Sequence, residues 1–268
     1  MDIQAVLAHL DGLFADKKLD EVAPFLTSQL ETAREEGDAG AVLSLMNELV
    51  GFYRSTSQTA ASLSMAQQAL QMVNAMGLAN TPAQGTTLIN AATAYRAAGE
   101  LEEAIALYAQ ALVVFETLGE TGYAMASLLN NMSQVYQTLN RHNDALPFLE
   151  RALTLLSSLE GVDAEIATTH SNLAISYLSL GDHSKAAAHL DVALQIFETG
   201  NGPHDAHYGA ALSAAASLAY AAGDYARAVQ LYEKALPEIR KSFGENDGYH
   251  ITRQNLALAQ QALNKMQI

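Results

Sequence analysis

The sequence predicts an all-α protein, a solenoid of stacked helical hairpins, on three observations. Small residues recur at a fixed interval, apolar residues follow helical spacing, and a turn residue divides each copy into halves. The small residues are 41, 41 and 42 positions apart, at Ala104, Ala145, Ala186 and Ala228. The turn residues keep the same period, at Gly99, Asn140, Gly181 and Gly223. Markers that share one period of this length indicate a repeat architecture.

Each copy is expected to form two antiparallel helices joined by a short turn. In one copy Leu88, Ala92 and Tyr95 fall on one helical stripe, and Ile105 and Tyr108 begin another after the turn. A glycine at the turn suits the left-handed residue that ends many helices. A single helical hairpin cannot bury both of its apolar faces, so neighbouring copies must stack.

The chain is expected to be one domain, residues 1–268, made of successive hairpins and a closing helix. Residues 1–38 are interpreted as a degenerate first hairpin, with Phe14 at the aromatic position. The full copies are predicted at residues 39–82, 83–121, 122–162, 163–204 and 205–247. Residues 248–268 are interpreted as the polar capping helix that a repeat array needs for solubility.

The amino-acid composition excludes several classes of partner and of structural site. The chain has a net charge of −15, so phosphate backbones and anionic membrane surfaces are disfavoured as partners. It has no cysteine, hence neither a disulfide framework nor a thiolate metal site. The start of the sequence lacks the pattern of a secretory signal. These features predict a cytoplasmic protein that binds neither nucleic acid nor membrane.

The copies resemble the tetratricopeptide repeat, or TPR. One copy carries the family skeleton at Leu88, Ala91, Ala92, Tyr95, Ala104 and Tyr108. The stretches "IATTHSNLAISY" and "FGENDGYHITRQNLA" are similar to the longer repeat found in kinesin light chains and many bacterial proteins. The resemblance implies a right-handed α-α superhelical solenoid of about five to six TPR hairpins. It also implies a concave groove, lined by the first helix of each hairpin, in which peptides bind.

The groove positions of the family place ten candidate peptide-binding residues on this face. They are Asn47, Arg54, Asn90, Arg96, Asn130, Asn131, Gln134, Gln137, Asn172 and Tyr220. A row of amides could grip an extended peptide backbone, because an amide offers a donor and an acceptor together. The alternative is that the asparagines bond to neighbouring backbone and fix the repeat geometry. Asn130 and Asn131 are the best candidates for direct ligand contact.

Two further features suggest the chemistry of the partner. Arg54 and Arg96 occupy equivalent positions in adjacent copies and could bind a carboxylate of an acidic side chain or a peptide C-terminus. The alternative is that both arginines are simply exposed and solvated. Toward the C-terminal half the predicted groove turns apolar at Ile175, Leu178 and Tyr220.

Residues 55–95 contain no charged side chain and are a candidate homodimer interface. The three methionines of this segment could alternatively be core residues, Met72 above all.

The sequence contains no phosphate-binding loop, zinc-protease motif or nucleophile elbow. His142 and His183 hold equivalent positions and are expected in a half-buried structural slot, whereas His204 and His207 could hold a metal ion in a loop. The leading hypothesis is a protein-binding or peptide-binding scaffold that is not an enzyme and needs no cofactor. The alternative is a regulatory sensor whose solenoid closes on a peptide or effector.

Overall fold

The computed structural model describes residues 1–199 and 207–266, except the side chains of Phe243 and Asp247. Within these ranges all regular secondary structure is helical. The helices are α1 Ile3–Ala15, α2 Leu19–Glu35, α3 Ala39–Ser55, α4 Thr59–Ala75, α5 Pro82–Ala97, α6 Leu101–Leu118, α7 Tyr123–Thr138, α8 His142–Leu156, α9 Asp163–Ser179, α10 His183–Thr199, α11 Tyr208–Ala221, α12 Tyr225–Phe243 and α13 Asp247–Met266.

Short turns with one left-handed residue join the two helices of each hairpin. Four of these residues were expected from the repeat, and each has a positive φ: Gly99, Asn140, Gly181 and Gly223. The corresponding turns before α2 and α4 place Lys17 and Ser57 at φ 59°, although neither is a glycine. A left-handed turn at the same point of every hairpin makes its two helices antiparallel neighbours.

The repeated small residues lie where paired helices approach most closely. All four alanines that set the period have no exposed surface: Ala104, Ala145, Ala186 and Ala228. A second buried series lies on these helices and on α4, at Ala69, Ala111, Ala152, Ala193 and Ala235. A methyl group at these points lets the helix backbones approach each other closely. This explains why the residue that recurs at each repeat is alanine.

The chain divides into two compact units, Met1–Glu120 and Thr121–Ile268. The first unit has a core between α1, α2, α3 and α4 that includes Leu26 and Leu49. In the second unit a series of smaller clusters lies between successive helices, around residues such as Leu149 and Phe197. None of the described helices combines the length and the apolar character that crossing a bilayer requires. The predicted boundary between residues 204 and 205 lies outside the described residues.

Candidate functional site

Hydrogen bonds between first helices join neighbouring hairpins within each unit. Asn47 on α3 donates from Nδ2 to Thr87 Oγ1 on α5, over 3.0 Å. Asn130 on α7 makes the same bond to Thr169 on α9, over 2.9 Å. The equivalent contact from α11 to α13 is a 2.9 Å bond between two hydroxyls, Ser213 Oγ and Thr252 Oγ1.

These three hydrogen bonds between neighbouring hairpins, which we call tethers, recur in every second hairpin. The threonine follows its partner by 40, 39 and 39 residues and is buried in each case. The sequence does carry this signal, as a threonine placed just under one repeat after an asparagine or serine. The threonines lie on a buried row beside the predicted groove positions, so a prediction based on the groove positions alone does not include them.

Asn47 and Asn90 act as a structural pair in the first unit. Asn90 donates from Nδ2 to Asn47 Oδ1 over 3.1 Å, while the Asn47 amide nitrogen is already bonded to Thr87. Both functions of the Asn47 amide are therefore used inside the protein. At these positions the amides bond to side chains of the adjacent repeat, and not to the neighbouring backbone as the alternative interpretation expected.

Asn130 differs from Asn47 because only its donor is used. Its Nδ2 donates to Thr169 and to the carbonyl of Ala126, whereas its buried Oδ1 has no partner among the described residues. Asn131 and Gln134 are half-buried beside it, and their side chains also make no hydrogen bond within the described ranges. These three amides thus retain unused hydrogen-bonding capacity in one place.

A cavity of about 220 Å³ lies between α7 and α9 at this point. Asn130, Asn131 and Gln134 line it from α7. Glu165 closes another side and accepts a 3.1 Å hydrogen bond from the hydroxyl of Tyr123. The cavity is therefore polar and open to a small group that can both donate and accept hydrogen bonds.

Gln137 and Asn172, the next two predicted peptide-binding residues, use only part of their hydrogen-bonding capacity inside the protein. Gln137 donates from Nε2 to the carbonyl oxygen of Asn172 over 2.7 Å and to Ser176 Oγ over 2.8 Å. Asn172 is buried, and its Nδ2 has no partner in the described part of the chain. Gln137 therefore joins α7 to α9, while Asn172 keeps one free donor.

Arg54 and Arg96 lie near each other on α3 and α5, and both are half-buried. Among the described residues neither has a carboxylate within ion-pair distance. Burial, and secondarily the like charge of Arg96, lowers the pKa of the Arg54 guanidinium. Beside them the buried Tyr108 hydroxyl lies 2.8 Å from Thr93 Oγ1, and burial raises the pKa of this phenol. The two arginines are thus adjacent cations without an acidic counterion in an acidic chain.

The predicted apolar positions separate into two places in the second unit. Ile175 and Leu178 line a cavity of about 420 Å³ together with Ile251 of α13. Tyr220 is exposed, and its ring centroid is 5.2 Å from that of Tyr225. Tyr220 borders a second cavity, of about 220 Å³, with Tyr232 and Leu258.

The two equivalent histidines have different environments, so the expectation for His183 was wrong. His142 is buried, and its Nε2 lies 3.1 Å from Asn140 Oδ1. His183 is exposed, and no hydrogen bond to a turn residue holds its ring, because the equivalent turn residue is Gly181. A glycine turn does not by itself expose this position, since Leu101 and Tyr225, which follow Gly99 and Gly223, are half-buried. Residue 204 of the other predicted histidine pair lies outside the described residues.

Solved structures of similar fold share little sequence with this chain. BtubC (BKLC) from P. vanneervenii is 20% identical, with a TM-score of 0.67, over 85% of this chain and 93% of that chain. A Podosopora anserina protein with nearly identical kinesin light chain TPR-like repeats is 16% identical, with a TM-score of 0.62, over 73% and 97%. NprR in complex with its cognate peptide NprX is 17% identical, with a TM-score of 0.70, over 94% and 71%.

These likenesses show the fold, an α-solenoid. No curated protein matches the sequence. The family model for the tetratricopeptide repeat matches four overlapping segments, residues 41–117, 83–158, 124–199 and 165–242. Since these matches span most of the sequence, the chain belongs to the tetratricopeptide repeat family.

Proposed function

We propose that this chain is a non-catalytic module that binds an extended peptide or protein segment along the first helices of its hairpins. The observation that carries the proposal is the buried Oδ1 of Asn130, which has no partner in the described part of the chain. Asn131 and Gln134 stand beside it with unused amides. A peptide backbone supplies donors and acceptors at regular intervals, so it complements such a group irrespective of its sequence.

The energetics favour a ligand at this point. A buried acceptor left without a hydrogen bond costs about 1–3 kcal/mol. The Oδ1 of Asn130 has almost no accessible surface, so a ligand N–H that recovers this cost must displace a neighbouring side chain to reach it. The tether to Thr169 fixes the amide of Asn130 before the ligand arrives, so less side-chain freedom is lost on binding. The complex of NprR with NprX supports this use of the fold, although the likeness to that protein extends to the fold alone.

The positions of Arg54 and Arg96 favour a partner that carries an anionic group. Each guanidinium is partly desolvated and is repelled by the other, so a carboxylate would relieve both costs. We infer a peptide C-terminus or an acidic side chain as the group bound there. The cavity at Ile175, Leu178 and Ile251 would take an apolar side chain in the second unit.

A peptide-responsive sensor is the second candidate function. The likeness to NprR, a protein solved with its cognate peptide, spans 94% of this chain and favours that possibility. A sensor must change shape when its ligand binds, whereas a scaffold need not. Small-angle scattering of the free and peptide-bound protein would separate the two, because only the sensor is expected to contract. We place either activity in the cytoplasm.

Self-association through residues 55–95 is a further part of the proposal. Helix α4 carries no charged residue and exposes amides and small side chains such as Gln67, Gln68 and Gln71. Met65, Met72 and Met76, by contrast, pack against the core of the first unit. Sedimentation equilibrium tests the contact, and a monomer at high protein concentration would exclude it.

A peptide array that tiles the proteome of the source organism tests peptide binding directly. The tightest peptide is then titrated against wild type and against the double variant Asn131→Ala/Gln134→Ala. We expect the double variant to bind at least tenfold more weakly, while keeping its helical content. The control Asn143→Ala/Gln230→Ala removes the same residue types from exposed positions on α8 and α12. Equal losses in both variants would contradict a binding site on α7.

A further inference from the structure

The cavity between α7 and α9 contains one carboxylate, that of Glu165. The other described residues that line it include no lysine or arginine, and His207 is the one imidazole among them. The side chain of Glu165 is half-buried, and its Oε1 accepts a 3.1 Å hydrogen bond from the hydroxyl of Tyr123. A carboxylate that makes no ion pair with the described residues is thus held at the wall of a space of about 220 Å³.

An acidic residue at this position of the repeat is specific to one hairpin. The residues one and two repeats earlier are Ala124 and Ala83, and helices α5 and α7 begin without an acidic residue. Glu165 and Asp163 both lie in the first turn of α9, where the helix dipole favours a negative charge. Asp163 is exposed and does not line the cavity, so it meets this preference by itself. Helix stability therefore does not require a carboxylate at the cavity wall.

The remaining walls supply hydrogen-bond acceptors and apolar surface. Asn131 and Gln134 line the cavity from α7, and their side chains make no hydrogen bond within the described ranges, so each has a free amide oxygen. Leu156 and Ala164 add apolar surface. The group that suits these walls carries a positive charge and several N–H donors at the end of an apolar stem.

Lysine and arginine both have this form, and the contacts favour lysine. An arginine guanidinium binds a carboxylate best through two parallel hydrogen bonds, one to each oxygen. At Glu165 this arrangement is hindered, because Oε1 already accepts from Tyr123. A lysine ammonium is a compact charge whose three donors can be shared among separate acceptors. The cavity provides such acceptors at Glu165, Asn131 and Gln134.

We propose that this cavity binds the ammonium group of a lysine side chain on the partner peptide, with Glu165 as its counterion. Because the lysine belongs to a peptide that follows α7, this site rests on the proposed function. The methylene stem lies against Leu156 and Ala164, while the ammonium donates to Glu165 and to the amide oxygens of Asn131 and Gln134. Acetylation of the lysine removes its charge and with it the attraction to Glu165.

Nuclear magnetic resonance titration of the isotope-labelled full chain tests the cavity before any natural peptide is known. The probe is Nα-acetyl-lysine methylamide, whose one charge is the side-chain ammonium. A pH of about 8 keeps this ammonium charged and imidazoles of ordinary pKa neutral. We expect saturable shifts of the backbone amide signals of Asn131 and Thr168. The Nε-acetylated probe and the norleucine analogue, which lack the charge, should shift these signals at least fivefold less at equal concentration.

A matched pair of variants shows whether the carboxylate at the cavity wall is responsible. Glu165→Gln removes the charge but keeps an oxygen for the Tyr123 hydroxyl, and we expect at least a fivefold loss of affinity for the lysine probe. Asp163→Asn removes the same charge from an exposed position in the same turn and should match wild type within twofold. Circular dichroism checks that both variants fold. The comparison of charged and uncharged probes needs no variant, so it stays decisive if Glu165→Gln does not fold.

Lysine replacement in the tightest peptide of the array separates this site from the proposed function. Exchange of one lysine for norleucine should weaken binding to wild type about tenfold and have little effect on binding to Glu165→Gln. Tight peptide binding that no such exchange weakens, or equal shifts from the lysine and norleucine probes, would overturn the lysine site and leave peptide binding intact. A lysine probe bound at Glu165 in a protein that binds no peptide would support the site and contradict the proposed function.

Discussion

The side chain of Asn90 donates a 3.1 Å hydrogen bond from Nδ2 to Oδ1 of Asn47, one repeat earlier in the chain. A second hydrogen bond continues from Asn47, whose own Nδ2 donates to Thr87 Oγ1 over 3.0 Å. Thr87 in turn donates to the backbone carbonyl of Ala83. These bonds hold α3 against α5 and use both the donor and the acceptor group of the Asn47 amide. The side chain of Asn131, by contrast, makes no hydrogen bond within the described residues.

The variant Asn47→Ala should destabilise the protein without weakening peptide binding. It removes both bonds of the Asn47 amide and leaves the Nδ2 of Asn90 without its partner, for which we expect a loss of about 1–2 kcal/mol. Urea unfolding measures the change. Asn74→Ala, at an exposed position on α4, should stay within about 0.5 kcal/mol of wild type. A weaker peptide affinity with unchanged stability would reverse the interpretation of Asn47.

Gly85→Ala should be destabilising because the site has no room for a methyl group. A Cβ atom at this position would overlap Cε1 of the buried Phe115. We expect a cost of about 1–3 kcal/mol in unfolding experiments, as for other overpacked cores. In contrast, Gly12→Ala on α1 meets nothing within 4 Å and should stabilise by about 0.5–1 kcal/mol. Equal effects at the two glycines would refute the steric argument.

Ser57→Gly should raise the melting temperature. Ser57 holds φ at 59° in the turn before α4, a conformation that costs an ordinary residue about 1 kcal/mol and a glycine much less. Gly99→Ser introduces the opposite change at the equivalent turn before α6, where φ is 82°. Differential scanning calorimetry should therefore record shifts of opposite sign for the two variants. Shifts of the same sign would mean that turn conformation does not control stability here.

Arg96→Ala should weaken the binding of an acidic or C-terminal peptide about tenfold or more, because it removes one of two unneutralised guanidinium groups. Arg141→Ala is the control, since Arg141 is exposed and already bonds to Asp144 over 2.7 Å. Calorimetric titration at two salt concentrations measures both effects. We expect the affinity of wild type to fall as salt rises and that of Arg96→Ala to depend on salt less. Equal affinities of the two variants would contradict an anion-binding site at Arg54 and Arg96.

Stability should fall as the pH is lowered from about 6.5 to about 4. Burial, and secondarily the charge of His189, lowers the pKa of His170 to about 4 in the folded protein, whereas it is near 6.5 when unfolded. The unfolded chain therefore binds more protons in this window. The contribution of the neutral ring is fully present above pH 6.5 and is lost as the pH falls through 4. Melting temperatures of wild type and His170→Asn should converge across this range. Parallel curves would show that His170 is not titrating there.

The helices and their turns could be predicted because each marker is repeated many times in the sequence. Gly99, Asn140, Gly181 and Gly223 all have the left-handed backbone expected at the hairpin turn. Ala104 and its equivalents are all buried. An error in one copy would have been corrected by the others, so local signals sufficed for the family and the fold.

The hydrogen-bond partners of individual side chains could not be predicted from repeated sequence markers. Whether an asparagine is free depends on what the next repeat places against it. Asn47 bonds to both Thr87 and Asn90, whereas the Asn131 side chain makes no hydrogen bond within the described residues. His170 and His189, whose Nδ1 atoms lie 2.8 Å apart, are separated by 19 residues on two helices and match no short motif. Such pairings depend on helix rotation, which a periodic pattern fixes only to within a residue.

The buried threonine bonds have a consequence for how the length of this array can change. Asn47, Asn130 and Ser213 are spaced 83 and 83 residues apart, which is two hairpins each time. Inserting a hairpin between the two members of a bonded pair, or deleting one member, would leave a donor or a threonine without its partner, whereas inserting or deleting a whole pair would keep every match. The module by which such a protein is lengthened or trimmed, in the laboratory or by duplication, is thus a pair of hairpins.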